Sequence, residues 1–369
     1  MKSKDIKELK EVWIYGGGGF AGELESFLQN CGVKVAGRVT RENFQSTEAT
    51  GDHELYFANP HPVLIGVFNH RDDPIEIVDY LENIGITEIV SPSTIINNLG
   101  DRNFNKYYLS GEIATHPHSQ EDLEFVKKNL FDNESLAILE GFLSYQSTGD
   151  LRSIRRSSDA SQQYLGKTLP DSFWKQWMTD ELKWLDVGAF DGDTLRGIYH
   201  EGRNSEYDSY ICIEPDLINF KKLVATVKEL DIHAELLNVA VGAEAGEIVF
   251  IHEGTLSAHQ NKKDTKNEKH GVVSVMTIDQ ICEDFKPSHI KMDIEGAEMS
   301  ALIGAKESLL SYRPKLAISL YHLPYDVTRI PIYLMTLLHD YAWFIRCYGA
   351  HGYDTILYGI PLERDNPQK

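Results

Sequence analysis

The feature that most constrains this chain is a set of four apolar segments between residues 183 and 296, each ending in a glycine or an acid: KWLDVG, SYICIEPD, AELLNVAVG and HIKMDIEG. Short runs of β-branched and aromatic residues closed in this way read as strands buried on both faces. A helix is expected after the turn DVGAFDGD, and FKKLVATVKEL shows helical periodicity before the third segment, so the connections are crossovers and the sheet is parallel. A fifth segment, PKLAISLYH, extends the set, and WFIRCYG and DTILYGI read as a closing antiparallel pair. GEIVFIHEG and GVVSVMTI read as added strands around a polar loop, 259–270. In such a sheet the C-terminal strand ends share one edge, and a ligand binds there.

The residues at that edge define its chemistry. Gly188 and Gly192, in DVGAFDGD, let the backbone turn sharply and approach a ligand closely, because no Cβ intrudes. The next strand ends in Glu214, whose carboxylate suits the two hydroxyls of a ribose, as in NAD or S-adenosylmethionine. The third ends in Asn238-Val-Ala-Val-Gly242, a small polar and apolar patch suited to the edge and face of an adenine. Asp186, Asp193, Glu214, Asp293 and Glu295 gather around the pocket, which favours a cationic sulfonium and an amine over a pyrophosphate. For proton transfer from an acceptor hydroxyl, Asp293 and His322 stand at strand ends facing the same pocket. A structural histidine is the competing account of His322. A divalent ion on Asp293 with Glu295 or His322 is the less favoured reading, so no metal ligand is assigned. Tyr321, Tyr325 and Asp326 are further candidates for the acceptor side, and Glu295 with Glu298 reads as a solvated helix pair.

Composition bounds the rest. A chain of 369 residues suggests two domains, and a formal net charge of −20 makes nucleic acid a poor partner. Arg152, Arg155 and Arg156 lie close together and read as a solvated loop. Cys31, Cys212, Cys282 and Cys347 form no CxxC pair and read as reduced, buried thiols. No signal-like apolar core and no membrane-length apolar run is present, which fits a soluble cytoplasmic protein without membrane insertion. The sequence leaves homo-oligomerisation open.

From about residue 130 to 361 the chain resembles the FkbM family of methyltransferases. The matching blocks are LDVGAFDGDT (185–194), IEPD (213–216), NVAVG (238–242), VVSVMTIDQI (272–281), IKMDIEGAE (290–298) and SLYHLPYD (319–326), with the helical lead-in LFDNESLAILEGFLSYQSTGD (130–150). The resemblance implies a class I methyltransferase fold, S-adenosylmethionine as donor, and O-methylation of a hydroxyl on a sugar, glycan precursor or secondary metabolite. It places Gly188 and Gly192 along the methionine part of the donor, Asp186 or Asp193 at its amino group, Glu214 at the ribose, and Asn238 and Ala240 near adenine. The polar loop 259–270 departs from the family pattern.

At the other end, EVWIY is a strand, and Gly17-Gly-Gly19-Phe-Ala-Gly22 satisfies GxGxxG before a helix. The next strand, KVAGRV, offers Arg38 rather than the acid expected for NAD. Residues 11–92 resemble the N-terminal domain of sugar acetyltransferases of the PglD type, which implies a nucleotide-sugar or related phosphate site near residues 18–22. A scaffold with an empty crevice is the competing account. His116, His118 and the histidines of the 259–270 loop show no ligand spacing.

The expectation is thus an α/β protein. A Rossmann-like domain over 1–115 and a helical connector over 116–180 precede a methyltransferase domain over 181–369, with a mixed seven-stranded sheet and an antiparallel last strand. Two alternatives stand beside methyl transfer: a nucleotide-sugar or NAD(P)-binding enzyme working through the N-terminal domain, and a non-catalytic small-molecule-binding scaffold.

Overall fold

The computed structural model describes residues 6–40, 56–68, 72–99, 117–158, 160–177, 181–202, 208–251 and 270–362. The chain forms two compact units. One comprises Met1–His118, Ala137–Arg156 and Gly349–Tyr353; the other comprises Ser119–Leu136, Ser157–Tyr348 and Asp354–Lys369. The stretch read as a connector is therefore shared between them. His116 and residues 259–269 of the polar loop lie outside the described residues.

The first unit holds β1 (Glu11–Tyr15), α1 (Gly19–Asn30), β2 (Lys34–Val39), β3 (Val63–Ile65), α2 (Pro74–Asn83), β4 (Ile89–Val90) and α3 (Pro92–Leu99). Its strands form a parallel sheet in the order β2-β1-β3-β4. After β1 the chain turns at Gly16, with φ +111°, where a Cβ would stand 2.8 Å from Val67 Cγ2. Ile14, Leu24, Leu28 and Leu64 are fully buried and join the sheet to α1. Asp73 caps α2 by accepting a hydrogen bond from the Ile75 N–H at 2.9 Å, and Pro74 fits its first turn. Arg38, the residue weighed for a phosphate, donates instead to Glu25 Oε2 at 2.9 Å. Two of the clustered arginines also meet acids, Arg152 on Asp79 at 2.8 Å and Arg156 on Asp73.

The second unit holds α4 (Gln120–Asn129) and the start of α5 (Asn133–Thr148), whose remainder belongs to the first unit, and continues through α6 (Asp171–Trp177), β5 (Lys183–Val187), α7 (Asp193–His200), β6 (Ser209–Ile213), α8 (Leu217–Leu230) and β7 (Ala234–Leu237). It then runs through β8 (Ala240–Val241), β9 (Gly246–Ile251), β10 (His270–Met276), α9 (Ile278–Ile281), β11 (His289–Met292), α10 (Glu298–Ile303), α11 (Lys306–Tyr312), β12 (Lys315–Ser319), α12 (Asp326–Leu337), β13 (Tyr341–Cys347) and β14 (Thr355–Pro361). The main sheet has seven strands in the order β13-β14-β12-β11-β5-β6-β7. β5, β6, β7, β11 and β12 are parallel, and β14 runs antiparallel to both of its neighbours. The mixed seven-stranded sheet with an antiparallel last strand is therefore present as expected.

One expected strand divides. AELLNVAVG supplies β7 to the main sheet, breaks at Asn238 and Val239, and supplies β8 to a separate sheet of order β8-β10-β9. Asn238 explains the break: its side-chain amide donates to the backbone oxygens of Glu214 at 2.8 Å and Pro215 at 3.2 Å. These bonds tie the corner to the end of β6.

Local signals close the helices. Asp216 caps α8 through the Ile218 and Asn219 N–H groups at 2.7 and 3.0 Å, a contact worth about 1 kcal/mol. Asp231 ends that helix in a left-handed conformation (φ +52°) that glycine more often supplies. Trp177, Trp184, Tyr210, Phe344 and Tyr358 pack into one core cluster of this unit. His289 stacks on Trp184 and bonds the Trp177 carbonyl at 2.7 Å. All four cysteines are free; Cys212, Cys282 and Cys347 are buried as expected, but Cys31, just beyond the end of α1, is exposed. Among the described residues no helix is long and apolar enough to cross a membrane.

Candidate active site

The C-terminal ends of β5, β6 and β11 open on a cavity of about 430 Å³, within the range of small-molecule sites. Gly188 and Phe190 from the turn after β5, Asp193 at the start of α7, and Glu214 after β6 line it. Asp293 and Glu295 after β11 form another wall. Val239, Ala240, Ile248 and Phe250 add an apolar side, drawn from the three-stranded sheet and the corner before it.

Gly188 is required by both conformation and space. Its φ is +82°, and a Cβ would stand 1.9 Å from the Asp293 carbonyl oxygen. Gly192, at φ +86°, does not line the cavity; it caps α7, and a Cβ there would press on Thr226 at 2.9 Å. Asn238 likewise lies outside the lining and serves the corner described above, whereas its neighbours Val239 and Ala240 reach the cavity. Asp186 sits beneath the floor, 1% exposed, with Oδ1 2.9 Å from Lys291 Nζ. Asp193, not Asp186, is the acid of this pair that meets the cavity.

The electrostatics are unusual for their sign. Among the described residues, Asp193, Glu214, Asp293 and Glu295 face the cavity with one cation, Lys291, whose charge is engaged by buried Asp186. Burial pushes the Asp186 carboxyl up to about 6 even though Lys291 pulls it down. Glu214 accepts from the Phe190 N–H at 2.9 Å and the Asp216 N–H at 2.8 Å. Burial outweighs these two bonds and pushes it up to about 7. Burial, aided by neighbouring Asp293, Glu298 and Glu214, also raises Glu295 to about 7, against the pull of His322. Asp293 goes the other way. Burial opposes its charge, but His322, Lys291 and Tyr164 hold it well below the usual carboxylate range.

Asp293 is the hub of this wall. The Tyr164 hydroxyl donates to its Oδ2 at 2.7 Å and the Tyr321 hydroxyl to its Oδ1 at 3.1 Å. His322 Nε2 stands 3.2 Å from Asp293 Oδ1 and 3.8 Å from Glu295 Oε2, while Nδ1 stands 2.8 Å from Glu298 Oε1. Burial disfavours the imidazolium, yet Glu298, Asp293 and Glu295 outweigh it and raise the His322 pKa well above its ordinary value. His322 is 7% exposed and stands behind Asp293 rather than on the cavity lining. Glu298 is fully buried, so the reading of Glu295 and Glu298 as a solvated pair is corrected: Glu298 belongs to the cluster. Tyr325 and Asp326 do not line the cavity; Asp326 is buried and accepts from the Leu323 N–H at 2.9 Å.

Four lining residues escaped sequence reasoning. Tyr164 comes from the polar stretch before α6, adopts a left-handed φ of +63°, and reaches Asp293 across 129 residues. No local pattern announces such a contact. Lys291 was readable in principle, as a lone cation inside an otherwise apolar parallel strand. Ile248 and Phe250 were assigned to a strand, but their place over the cavity depends on how β9 pairs with β10.

Comparison with known proteins agrees with this geometry. Residues 186–347 match the family model described as the methyltransferase FkbM domain. A solved structure of methyltransferase FkbM from Methylobacillus flagellatus KT shares the fold, with a TM-score of 0.68 at 20% identity over 95% of this chain and 90% of that one. The CurJ carbon methyltransferase aligns at a TM-score of 0.32 and 10% identity, over 79% of this chain and 85% of that one. No curated protein matches the chain. The span that matches the methyltransferase FkbM domain, residues 186–347, contains every described residue lining the cavity except Tyr164.

Proposed function

We propose that the protein transfers a methyl group from S-adenosylmethionine to a hydroxyl oxygen of a sugar, glycan precursor or secondary metabolite. The observation that carries this reading is the charge of the cavity: among the described residues four carboxylates face it, and the one lysine among them is engaged by Asp186. Such a site attracts a sulfonium and an ammonium and repels a pyrophosphate. Glu214 is the acceptor for the ribose hydroxyls, Asp193 for the amino group, and Val239 with Ala240 the contact for adenine. The Gly188 backbone is the close approach for the methionine part, since any Cβ there is excluded by the Asp293 carbonyl. Asp186, Gly192 and Asn238 support these groups from behind.

The donor, when bound, supplies an electrophilic methyl on sulfur. The chain's own residues must then orient an acceptor oxygen opposite that sulfur and receive its proton. Asp293, fixed by Tyr164, Tyr321 and His322, is the group we assign to orienting the hydroxyl and to accepting its proton as the new bond to carbon forms. His322 is assigned as the positioning residue that holds Asp293 ionised.

Parallel calorimetric titrations with S-adenosylmethionine, S-adenosylhomocysteine and NAD(H) test the reading. Binding of the first two, lost in Gly188→Val, is the expected outcome. Binding of NAD(H) alone would overturn it.

A further inference from the structure

We infer that the Nε2 side of His322, with Asp293 and Glu295, is a binding site for one divalent transition-metal ion on the wall of the donor cavity, with Glu298 orienting the imidazole from behind. This deepens the reading above, because the ion would stand where the acceptor oxygen must be held, but its existence is testable without any acceptor.

Spacing is the first argument. Two donors bound to one ion at about 2.1 Å stand roughly 3.0–3.4 Å apart in octahedral or tetrahedral geometry. His322 Nε2 lies 3.2 Å from Asp293 Oδ1, inside that range, and 3.8 Å from Glu295 Oε2. Among the described residues, Asp293, His322 and Glu298 form a group whose donor atoms lie within 4.8 Å of one another, and Glu295 approaches it to 3.8 Å from His322 Nε2.

The second argument is the state of the imidazole. Nε2 of His322 is buried and makes no aligned hydrogen bond, although it stands 3.2 Å from Asp293 Oδ1 and 3.8 Å from Glu295 Oε2. A nitrogen that faces two carboxylate oxygens without aligned hydrogen bonding is a donor suited to a cation.

The third argument is the support behind it. A metal-bound histidine commonly has a carboxylate at its other nitrogen, which fixes tautomer and ring orientation. Glu298 Oε1 stands 2.8 Å from Nδ1 and is itself held by the Ile294 N–H at 2.8 Å. The front of the site is open. Asp293 and Glu295 are 24% and 36% exposed and line the cavity, which leaves coordination positions for solvent or an acceptor oxygen. Glu295 adopts a left-handed φ of +55°, a conformation uncommon outside glycine and frequent at functional sites. One imidazole and two carboxylates, with no thiolate, suit Mn²⁺ or an ion of similar hardness.

The test is titration of the metal-free full-length protein with Mn²⁺, followed by the electron paramagnetic resonance signal of the free ion, with S-adenosylhomocysteine titrated into the same samples. Wild type should take up one Mn²⁺ per chain. Glu298→Gln should weaken uptake by about 10–100-fold. His322→Ala should abolish it, and Glu229→Gln, on an exposed face of α8, should leave it unchanged. If His322→Ala no longer binds S-adenosylhomocysteine, Asp293→Asn replaces it as the ligand deletion. Wild-type protein that binds S-adenosylhomocysteine but takes up no Mn²⁺ overturns the metal site and leaves the donor site standing; the cluster is then a doubly ion-paired imidazolium. Uptake that survives both ligand deletions also overturns it.

Discussion

Glu214→Gln should remove the pH dependence of donor-product binding, and the size of the effect follows from the burial of that carboxylate. Glu214 is 6% exposed and its pKa stands at about 7, so it is about 3% ionised at pH 5.5 and about 90% ionised at pH 8. If the charged form holds the ribose hydroxyls, wild-type affinity for S-adenosylhomocysteine rises about 30-fold across that interval. The variant should bind more weakly at pH 8 by about 1.5–3 kcal/mol, the worth of hydrogen bonds to a charged group. It should also lose the 30-fold rise. Glu295 also titrates near 7 and stays in the variant, so the difference between the two pH profiles isolates Glu214. Stability must move the opposite way. The folded pKa lies above the ordinary glutamate value of 4.5, so the folded state binds the proton more tightly and ionisation penalises it as pH rises from about 4.5 through 7. The penalty on wild type is about 0.8 kcal/mol at pH 5 and about 3 kcal/mol at pH 8. Glu214→Gln should therefore melt higher relative to wild type at pH 8 than at pH 5. Calorimetric titration and thermal melting at several pH values measure both. Identical pH profiles for the two proteins in binding would refute the reasoning.

Three further outcomes follow from packing. Gly188→Ala puts a Cβ against the Asp293 carbonyl at a positive φ, so it should cost at least about 2 kcal/mol by thermal melting and abolish S-adenosylhomocysteine binding. Lys291→Met leaves Asp186 as a buried charge without its cation and should destabilise by about 3–5 kcal/mol. Adding Asp186→Leu should recover more than half of that loss, and a double variant no more stable than the single one would contradict the ion-pair account. Arg346, 1% exposed, donates to Asp132 Oδ2 at 2.6 Å and to the Thr168 carbonyl at 3.0 Å. Arg346→Lys cannot reproduce that fork and should lower the melting temperature as a loss of roughly 2–3 kcal/mol.

What the sequence made legible was the part of the site written in short strings. A strand followed by glycine or acid fixes its own turn, so Gly188, Asp193, Glu214 and Asp293 could be placed at one edge before any coordinates. The same logic gave the five parallel strands and the antiparallel close, because hydrophobic period and helix length set them locally. It fell short where one residue does two jobs. Asp186 and Asn238 look like ligand contacts in a strand-end pattern. In the fold Asp186 is needed to neutralise Lys291, and Asn238 is needed to tie β7 to the end of β6. Tyr164 was invisible because its partner is 129 residues away and its own surroundings are those of a loop.

The same distinction explains the acidic wall. Carboxylates packed this closely repel one another, and the fold tolerates them because each is compensated differently. Asp186 has a lysine, Glu214 has two backbone N–H groups, Asp293 has two tyrosines and an imidazole, and Glu298 has a backbone N–H and the same imidazole. Glu295 has the weakest compensation: its nearest cationic group stands 3.8 Å away, and its pKa rises to about 7. A cation arriving in the cavity, whether the donor's sulfonium or a divalent ion on His322, therefore gains most from Glu295. Removing that carboxylate by Glu295→Gln should weaken Mn²⁺ uptake and S-adenosylmethionine binding more than binding of the uncharged sulfur in S-adenosylhomocysteine. Equal losses for the two nucleosides, read by calorimetry at pH 8, would show that Glu295 acts through shape rather than charge.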